Sequence, residues 1–464
     1  MQLGSIVAEG GPPAQSISED LSPMSNAKKF SRRTLLAAMP VAASRAAESK
    51  LAIDGGAPVR ATSLSTGYPG AQFYDEQERT ELNQAYDTHS LFRFYGFSQP
   101  QKVRNFEKEF AAFMGVKYVL GVTSGTAALH TALAALGVGP GDEVILPAWT
   151  WHSCYTAILA TGALPVFAEV DESFTLDPAD VEKRITPNTR AIMPVHLFGA
   201  PADMARLTAL ARKHGIRILE DTAQATGASF QGKRLGTHGD IGIYSFQMHK
   251  LITAGEGGAI VTNDPLLYER AIRFHDLGNV RPVHQEALGN LQMPYYPGLN
   301  YRMSEMTGAV MRAQLRKLDT LLERHRRNHR FLVERIKQLP EIRFRRSNDP
   351  EGEVGWTLDL LLPDKQTRAR FIQAIKAENV PFSPPSFATP LPRIPYIANK
   401  AVFHPNWPTF LTPRGKEIQY GAACCPRTHE IFERAATMTV GPKYTRQDLE
   451  DAVAAVTKVY GRLR

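Results

Sequence analysis

GDIGIYSFQMHKLITAGEGGAIVTND, residues 239–264, reads as a strand, a tight turn and a second strand. Ile241, Ile243 and Phe246 are apolar and β-prone, and Gly257-Gly258 precede a second apolar run, Ala259 to Val261. Between the runs stands one lysine, Lys250, with Ser245 on one side and Gly255, Gly257 and Gly258 on the other. A lysine among small and apolar residues can lose its charge by desolvation, and a neutral amine attacks carbonyl carbon. The competing reading is a surface lysine in an ordinary hairpin, and this stretch alone does not separate the two.

Working outward, IRILEDTAQATGASFQGKRLGTHGD (216–240) supplies a buried-type strand ending in Glu220-Asp221. VTSGTAALHTALAALG (122–137) places a small-residue turn before a helix. Strands are predicted at 118–122, 143–146, 165–170, 191–196 and 216–219. Helices are predicted at 126–136, 153–160, 178–184 and 202–214. This alternation argues for an α/β fold, a large domain with a mostly parallel sheet flanked by helices. Ligands of such sheets bind at the C-terminal ends of the strands. Met306, Val310, Leu315, Leu318 and Leu322 recur at helical spacing and predict a linking helix that Pro340 ends. The expected division is a leader (1–50), a large domain (51–303), the linking helix (304–340) and a smaller α+β C-terminal domain (341–464).

Of the 464 residues, 43% are hydrophobic and 22% charged, a composition ordinary for soluble globular chains. No apolar run is long enough for a membrane helix, so no membrane insertion is expected. The net charge of +8 is dispersed except around Arg324, Arg326, Arg327 and Arg330, a cluster in a helical pattern that reads as a solvated face. No motif for nucleic acid accompanies it, and a mildly basic surface also suits a phosphorylated or nucleotide-linked substrate. Cys154, Cys424 and Cys425 give no disulfide framework and are expected as free thiols; no metal is expected. In the leader, Arg32-Arg33 precede a short apolar stretch and small residues, which resembles a twin-arginine export signal. A disordered leader with a chance arginine pair is the alternative, so localisation stays open between the cytoplasm and export of the folded protein.

SGTAALH, PAWTW, PVHLFG, EDTAQA, GDIGIYSF…HK…GEGG and NYRMSE occur in this order along the chain. Together they resemble the DegT/StrS-type sugar aminotransferases, pyridoxal-phosphate (PLP) enzymes of the aspartate-aminotransferase fold, type I. The resemblance runs from about Leu51 to near the C terminus. It implies that Lys250 holds the cofactor covalently and moves the proton. It implies that Asp221 faces the pyridine nitrogen, where a carboxylate keeps the ring protonated and electron-withdrawing. An aspartate at a strand end is otherwise a common cap. Gln224 is expected near the ring oxygen. Gly125 and Thr126, opening a helix, are expected to cradle the phosphate with Ser245.

Trp151 is expected to stack on the cofactor ring, Trp149 fitting the motif less well. His196 is expected either to hydrogen-bond in the site or to be a satisfied core histidine. Tyr95 and His249 are candidates beside the substrate. Relatives that work as dehydratases carry histidine in place of the lysine; here His249 precedes Lys250, but the register of GEGG assigns the cofactor role to Lys250. Asn300 is expected to reach the phosphate of a neighbouring subunit, which implies a homodimer with shared active sites. The resemblance implies ping-pong transfer of an amino group from glutamate or glutamine to a keto sugar, often nucleotide-linked, or a keto-cyclitol. A PLP lyase or dehydratase, or a non-catalytic PLP-binding regulator, are the alternatives.

Overall fold

The computed structural model describes residues 50–385 and 389–463; the Arg32-Arg33 pair and the rest of residues 1–49 lie outside them. Strands β1 (Tyr118–Val122), β2 (Glu143–Pro147), β3 (Leu164–Ala168), β4 (Thr189–Ile192), β5 (Arg217–Asp221), β6 (Ile241–Ser245) and β7 (Gly258–Thr262) form one seven-stranded sheet. Their order is β1-β7-β6-β5-β4-β2-β3. Strands β2 to β6 pair in parallel, and β7 runs antiparallel to both its neighbours, β1 and β6. Every residue of β2, β3, β6 and β7 is buried, as a sheet covered by helices on both faces requires.

The covering helices include α1 (Glu76–Asp87), α2 (Lys102–Met114), α3 (Gly125–Ala135), α4 (Ser153–Ala160), α5 (Pro178–Arg184), α6 (Met204–His214) and α7 (Pro265–His275). Their starts are written in the sequence. Ser124, Asp177, Asp203 and Asp264 each accept a backbone N–H from the first turn that follows, and Pro178 and Pro265 open α5 and α7. The core they enclose includes Phe106, Leu120, Ile145, Leu219, Ile243 and Ile260.

Two details differ from the sequence reading. β6 and β7 do pair, but no tight turn joins them. Residues 246–257 form an irregular loop folded back on Phe246, whose N–H donates to the Gly257 carbonyl and whose carbonyl accepts from Ala254. Gly255, at φ +81°, lets the chain reverse there without the penalty a Cβ would bring. The strand expected over 191–196 stops at Ile192. Pro194 has no N–H for the ladder, and Val195 rejoins the sheet only through an isolated bridge to Asp221.

Helix α8 (Glu305–Ile336) begins at Ser304, which caps it, and ends before Pro340. Glu81 of α1 ties it down, accepting from Lys102 of α2 at 2.6 Å, Arg312 at 3.1 Å and Arg316 at 2.9 Å. The basic run of the sequence lies on α8, where Arg326, Arg327 and Arg330 line a surface cleft of about 660 Å³ together with Asp319, Glu323 and Glu334. Strands β8 (Thr357–Leu361) and β9 (Ala435–Thr439) pair antiparallel and are covered by α9 (Lys365–Ala377) and α10 (Arg446–Tyr460). A second apolar cluster gathers there, including Leu332, Leu358, Phe371, Phe382, Met438 and Val456. Among the described residues no helix is long and apolar enough to cross a membrane.

Two fully buried histidines make the fold acid-sensitive. Burial first, and nearby cations after it, lower His275 from 6.5 to about 3. Burial is also the leading cause that lowers His325 to about 4. Both are neutral in the folded chain, whereas the unfolded chain binds protons below the ordinary histidine value. Stability is therefore complete above about pH 6.5 and is lost as pH falls toward 4, at roughly 1.4 kcal/mol per pH unit for each histidine. Urea unfolding at pH 7 and pH 5 is expected to show the lower midpoint at pH 5, and His325→Gln is expected to reduce the difference.

Candidate active site

The sheet brings distant segments to one edge. Val122 and Ser245 both pair with Gly258, so the ends of β1 and β6 flank the start of β7 on one rung. Gly125 opens α3 directly above it. A Cβ on Gly125 would stand 2.7 Å from the Ser245 Cβ, and one on Gly258 would stand 2.4 Å from the Ser124 carbonyl oxygen. Glycine at both positions is what lets the helix start descend onto the strand ends. The N–H groups of Gly125 and Thr126 precede the first intrahelical bond, while the Ala127 N–H is taken by Ser124 Oγ at 3.0 Å. Two backbone donors, the exposed Thr126 and the Ser245 hydroxyl thus form a cradle of the kind that binds phosphate at a helix N-terminus.

Two strands along, Asp221 ends β5, is 4% exposed, and accepts the Ala223 N–H on Oδ1 at 2.9 Å. Lys250 sits in the 246–257 loop, and its carbonyl accepts the Gly70 N–H at 3.3 Å. Among the described residues no carboxylate forms an ion pair with its amine. Burial therefore lowers the Lys250 pKa below the ordinary lysine range, opposed in part by the negative charge of Asp221. A depressed amine within electrostatic reach of a carboxylate at a strand end is chemically a nucleophile and a proton carrier.

Gln224 is 7% exposed and fixed, its Oε1 accepting the Phe198 N–H at 3.1 Å. The two tryptophans of PAWTW separate cleanly. Trp149 is fully buried, 4.6 Å from the Phe174 ring and 5.3 Å from Phe432, whereas Trp151 is 48% exposed just before α4. His196 is the core histidine of the two readings. It is fully buried; Nδ1 accepts the Ala202 N–H at 3.1 Å, which leaves Nε2 to donate to Glu220 at 3.1 Å. Glu220 also accepts from Gly236 and Gly239. Burial pushes its pKa up, but these donors outweigh it and hold the carboxyl below its usual range. This saturated pair stiffens the end of β5 from behind.

Tyr95 is 64% exposed and packs edge-on against Phe92. Asn300 is exposed on an isolated bridge with Asp276. Neither makes a hydrogen bond or ring contact with Lys250, Asp221 or Ser245. His249, next to Lys250, is exposed; its Nδ1 lies 3.1 Å from Gln247 Oε1 and its ring 4.9 Å from that of Tyr68. One neighbour of Asp221 escaped sequence reasoning: the Cys154 thiol donates to Asp221 Oδ2 at 3.0 Å. Among the described residues no cluster of histidine, cysteine and carboxylate side chains could hold a metal ion.

The model of the DegT/DnrJ/EryC1/StrS aminotransferase family matches residues 75–457. The GDP-perosamine synthase of Escherichia coli O157:H7 is 34% identical over 346 residues, covering 72% of this chain and 91% of that protein. A Streptoalloteichus tenebrarius protein, provisionally named L-glutamine:3-amino-2,3-dideoxy-scyllo-inosose aminotransferase, is 31% identical over 438 residues, covering 90% and 100%. The crystal structure of 3-amino-5-hydroxybenzoic acid synthase superposes with a TM-score of 0.72 at 29% identity, over 86% of this chain and all of the other. The match extends over most of the length of each partner and includes every strand of the large sheet; the chain belongs to the DegT/DnrJ/EryC1/StrS aminotransferase family.

Proposed function

We propose that this chain binds pyridoxal phosphate at Lys250 and transfers an amino group from glutamate or glutamine to a ketone on a sugar, often nucleotide-linked, or on a cyclitol. The observation that carries the reading is the Lys250 amine, depressed by burial and within electrostatic reach of Asp221, in the loop that follows Ser245 of the helix-start cradle. The fit to the cofactor is chemical. The cradle offers donors for a phosphate, Asp221 offers an acceptor for a protonated ring nitrogen, Lys250 offers an amine for an aldehyde, and Trp151 offers a partly exposed indole. When bound, the cofactor supplies an aldehyde that condenses with amines and a ring that spreads negative charge.

The chain's own residues do the remainder. Gly125, Thr126 and Ser245 would hold the phosphate end. Asp221 would hold the proton on the ring nitrogen. Lys250 would be the neutral base that takes the proton from the donor's α-carbon and gives it back. Water would supply the carbonyl oxygen of the keto product while the amino group stays behind, and the same groups would act in reverse order on the acceptor ketone, releasing that water.

The relatives named above support the substrate class: one is named for a GDP-linked amino sugar, another for glutamine and a cyclitol ketone. A second copy of the chain completes the site in this reading. Tyr95, Phe97 and Tyr295 are 64%, 95% and 83% exposed, aromatic side chains of the kind a partner would cover, with Asn300 near Tyr295 in sequence.

The test is the visible spectrum of reconstituted protein with and without each donor, run beside its mass in sedimentation. The expected result is a band that a two-chain species loses on adding glutamate or glutamine and regains with a keto sugar or keto-cyclitol. A band indifferent to every amino acid would reject transamination.

A further inference from the structure

Cys154 stands in the first turn of α4, three residues beyond Trp151, and is fully buried. Its sulfur lies 3.0 Å from Asp221 Oδ2 and 3.6 Å from Thr150 Oγ1. A thiol has one proton, and a carboxylate can only accept. The thiol proton therefore points to Asp221, which leaves the Thr150 hydroxyl to donate to sulfur. The result is a directed chain, Thr150 to Cys154 to Asp221, in which each donor polarises the next. The other oxygen of Asp221 takes the Ala223 N–H at 2.9 Å. Both carboxylate oxygens are held, so the carboxylate cannot turn about its own bond.

We propose that Cys154 is a positioning residue for Asp221, orienting its carboxylate toward the cofactor ring with a donor weak enough to leave the negative charge available there. The inference rests on the role given to Asp221 above. The thiol remains protonated in this setting, because burial and then the Asp221 charge raise its pKa well above the ordinary range. A hydroxyl in its place would donate more strongly and draw charge away from the ring-facing side. A methyl group would leave Oδ2 buried without its donor, which costs more than the bond itself gains. Serine and alanine should therefore displace the electronics of the ring in opposite directions, whereas a packing role would make both merely looser.

The experiment uses full-length protein loaded with pyridoxal phosphate labelled at the ring nitrogen, followed by nitrogen NMR. Cys154→Ser and Cys154→Ala are expected to move the ring-nitrogen resonance to opposite sides of the wild-type position. Cys154→Ala is expected to hold the cofactor about three- to tenfold more weakly, and Cys154→Ser to recover most of that loss. Displacement in the same direction, or none, overturns the proposal. Infrared spectroscopy of the cofactor-free protein tests the pair independently of loading. The S–H stretch assigned by its loss in Cys154→Ser is expected to rise in frequency in Asp221→Asn, and an unmoved band overturns the proposal. If the wild type takes up no cofactor while that band shifts, the cofactor reading of the site fails and with it the ring-directed role of Cys154.

Discussion

Lys250→Ala is expected to give a folded protein that neither retains covalently bound cofactor nor transfers amino groups, with turnover reduced by at least about 10⁴-fold. Two functions vanish with one side chain: the nucleophile that joins the cofactor and the base that moves the proton. The magnitude follows from the position of the amine. Burial has already made it less basic than an ordinary lysine, so near neutral pH more of it is unprotonated and competent. Folding should be spared, because the half-buried side chain has no ion pair to lose and its backbone contacts with Gly70 and Gln247 persist in alanine. Lys250→Arg keeps a cation but is expected to be as inactive, since a guanidinium does not deprotonate. Single-turnover conversion of the donor to its keto acid, measured on protein of unchanged thermal midpoint, is the check. Conversion by Lys250→Ala within tenfold of wild type would remove Lys250 from the mechanism.

The same residue shows what the sequence could disclose and what it could not. The large domain's elements were legible where an apolar run of a few residues is closed by a capping residue, glycine or proline; β1, α4 and α5 lie at the positions read for them. The loop carrying Lys250 was misread as a tight turn. Its glycines signal reversal, but they serve a longer excursion that closes on Phe246, and composition does not encode loop length. The strand before His196 was read too long because the apolar run continues past Ile192; the missing N–H of Pro194 outweighs that run. Trp149 and Trp151 stand two residues apart beyond the end of β2, and what separates them is the packing of Trp149 on Phe174 and Phe432, residues distant in sequence. Cys154 was counted only as a free thiol. Its partner is 67 positions away, and no local period connects a helix start to the end of a strand two places over.

Asp221→Asn is expected to lower amino transfer by about 10²- to 10³-fold, the range found when one preorganised electrostatic group is removed from an active site. The amide is the same shape as the carboxylate, so Ala223 and Cys154 still pack against it, but it carries no charge to hold the ring proton. A second effect distinguishes this role from a cap at a strand end. The Lys250 amine is depressed by burial and partly restored by the Asp221 charge. Removing that charge leaves desolvation with less opposition, so the Lys250 pKa must fall further below the ordinary 10.5. The sign is unambiguous: a group whose protonated form loses a stabilising anion gives up its proton at lower pH. In cofactor-free protein the rate of Lys250 modification by an amine-selective reagent, followed by peptide mass spectrometry, is expected to reach its half-maximum at lower pH in Asp221→Asn than in wild type. Asp221→Glu keeps the charge and should lie nearer wild type in this assay, though a longer side chain cannot keep both held oxygens in place. A midpoint that is unchanged or raised in Asp221→Asn would mean that the carboxylate does not act on Lys250. Transfer retained within tenfold would reduce Asp221 to a structural residue at the end of β5.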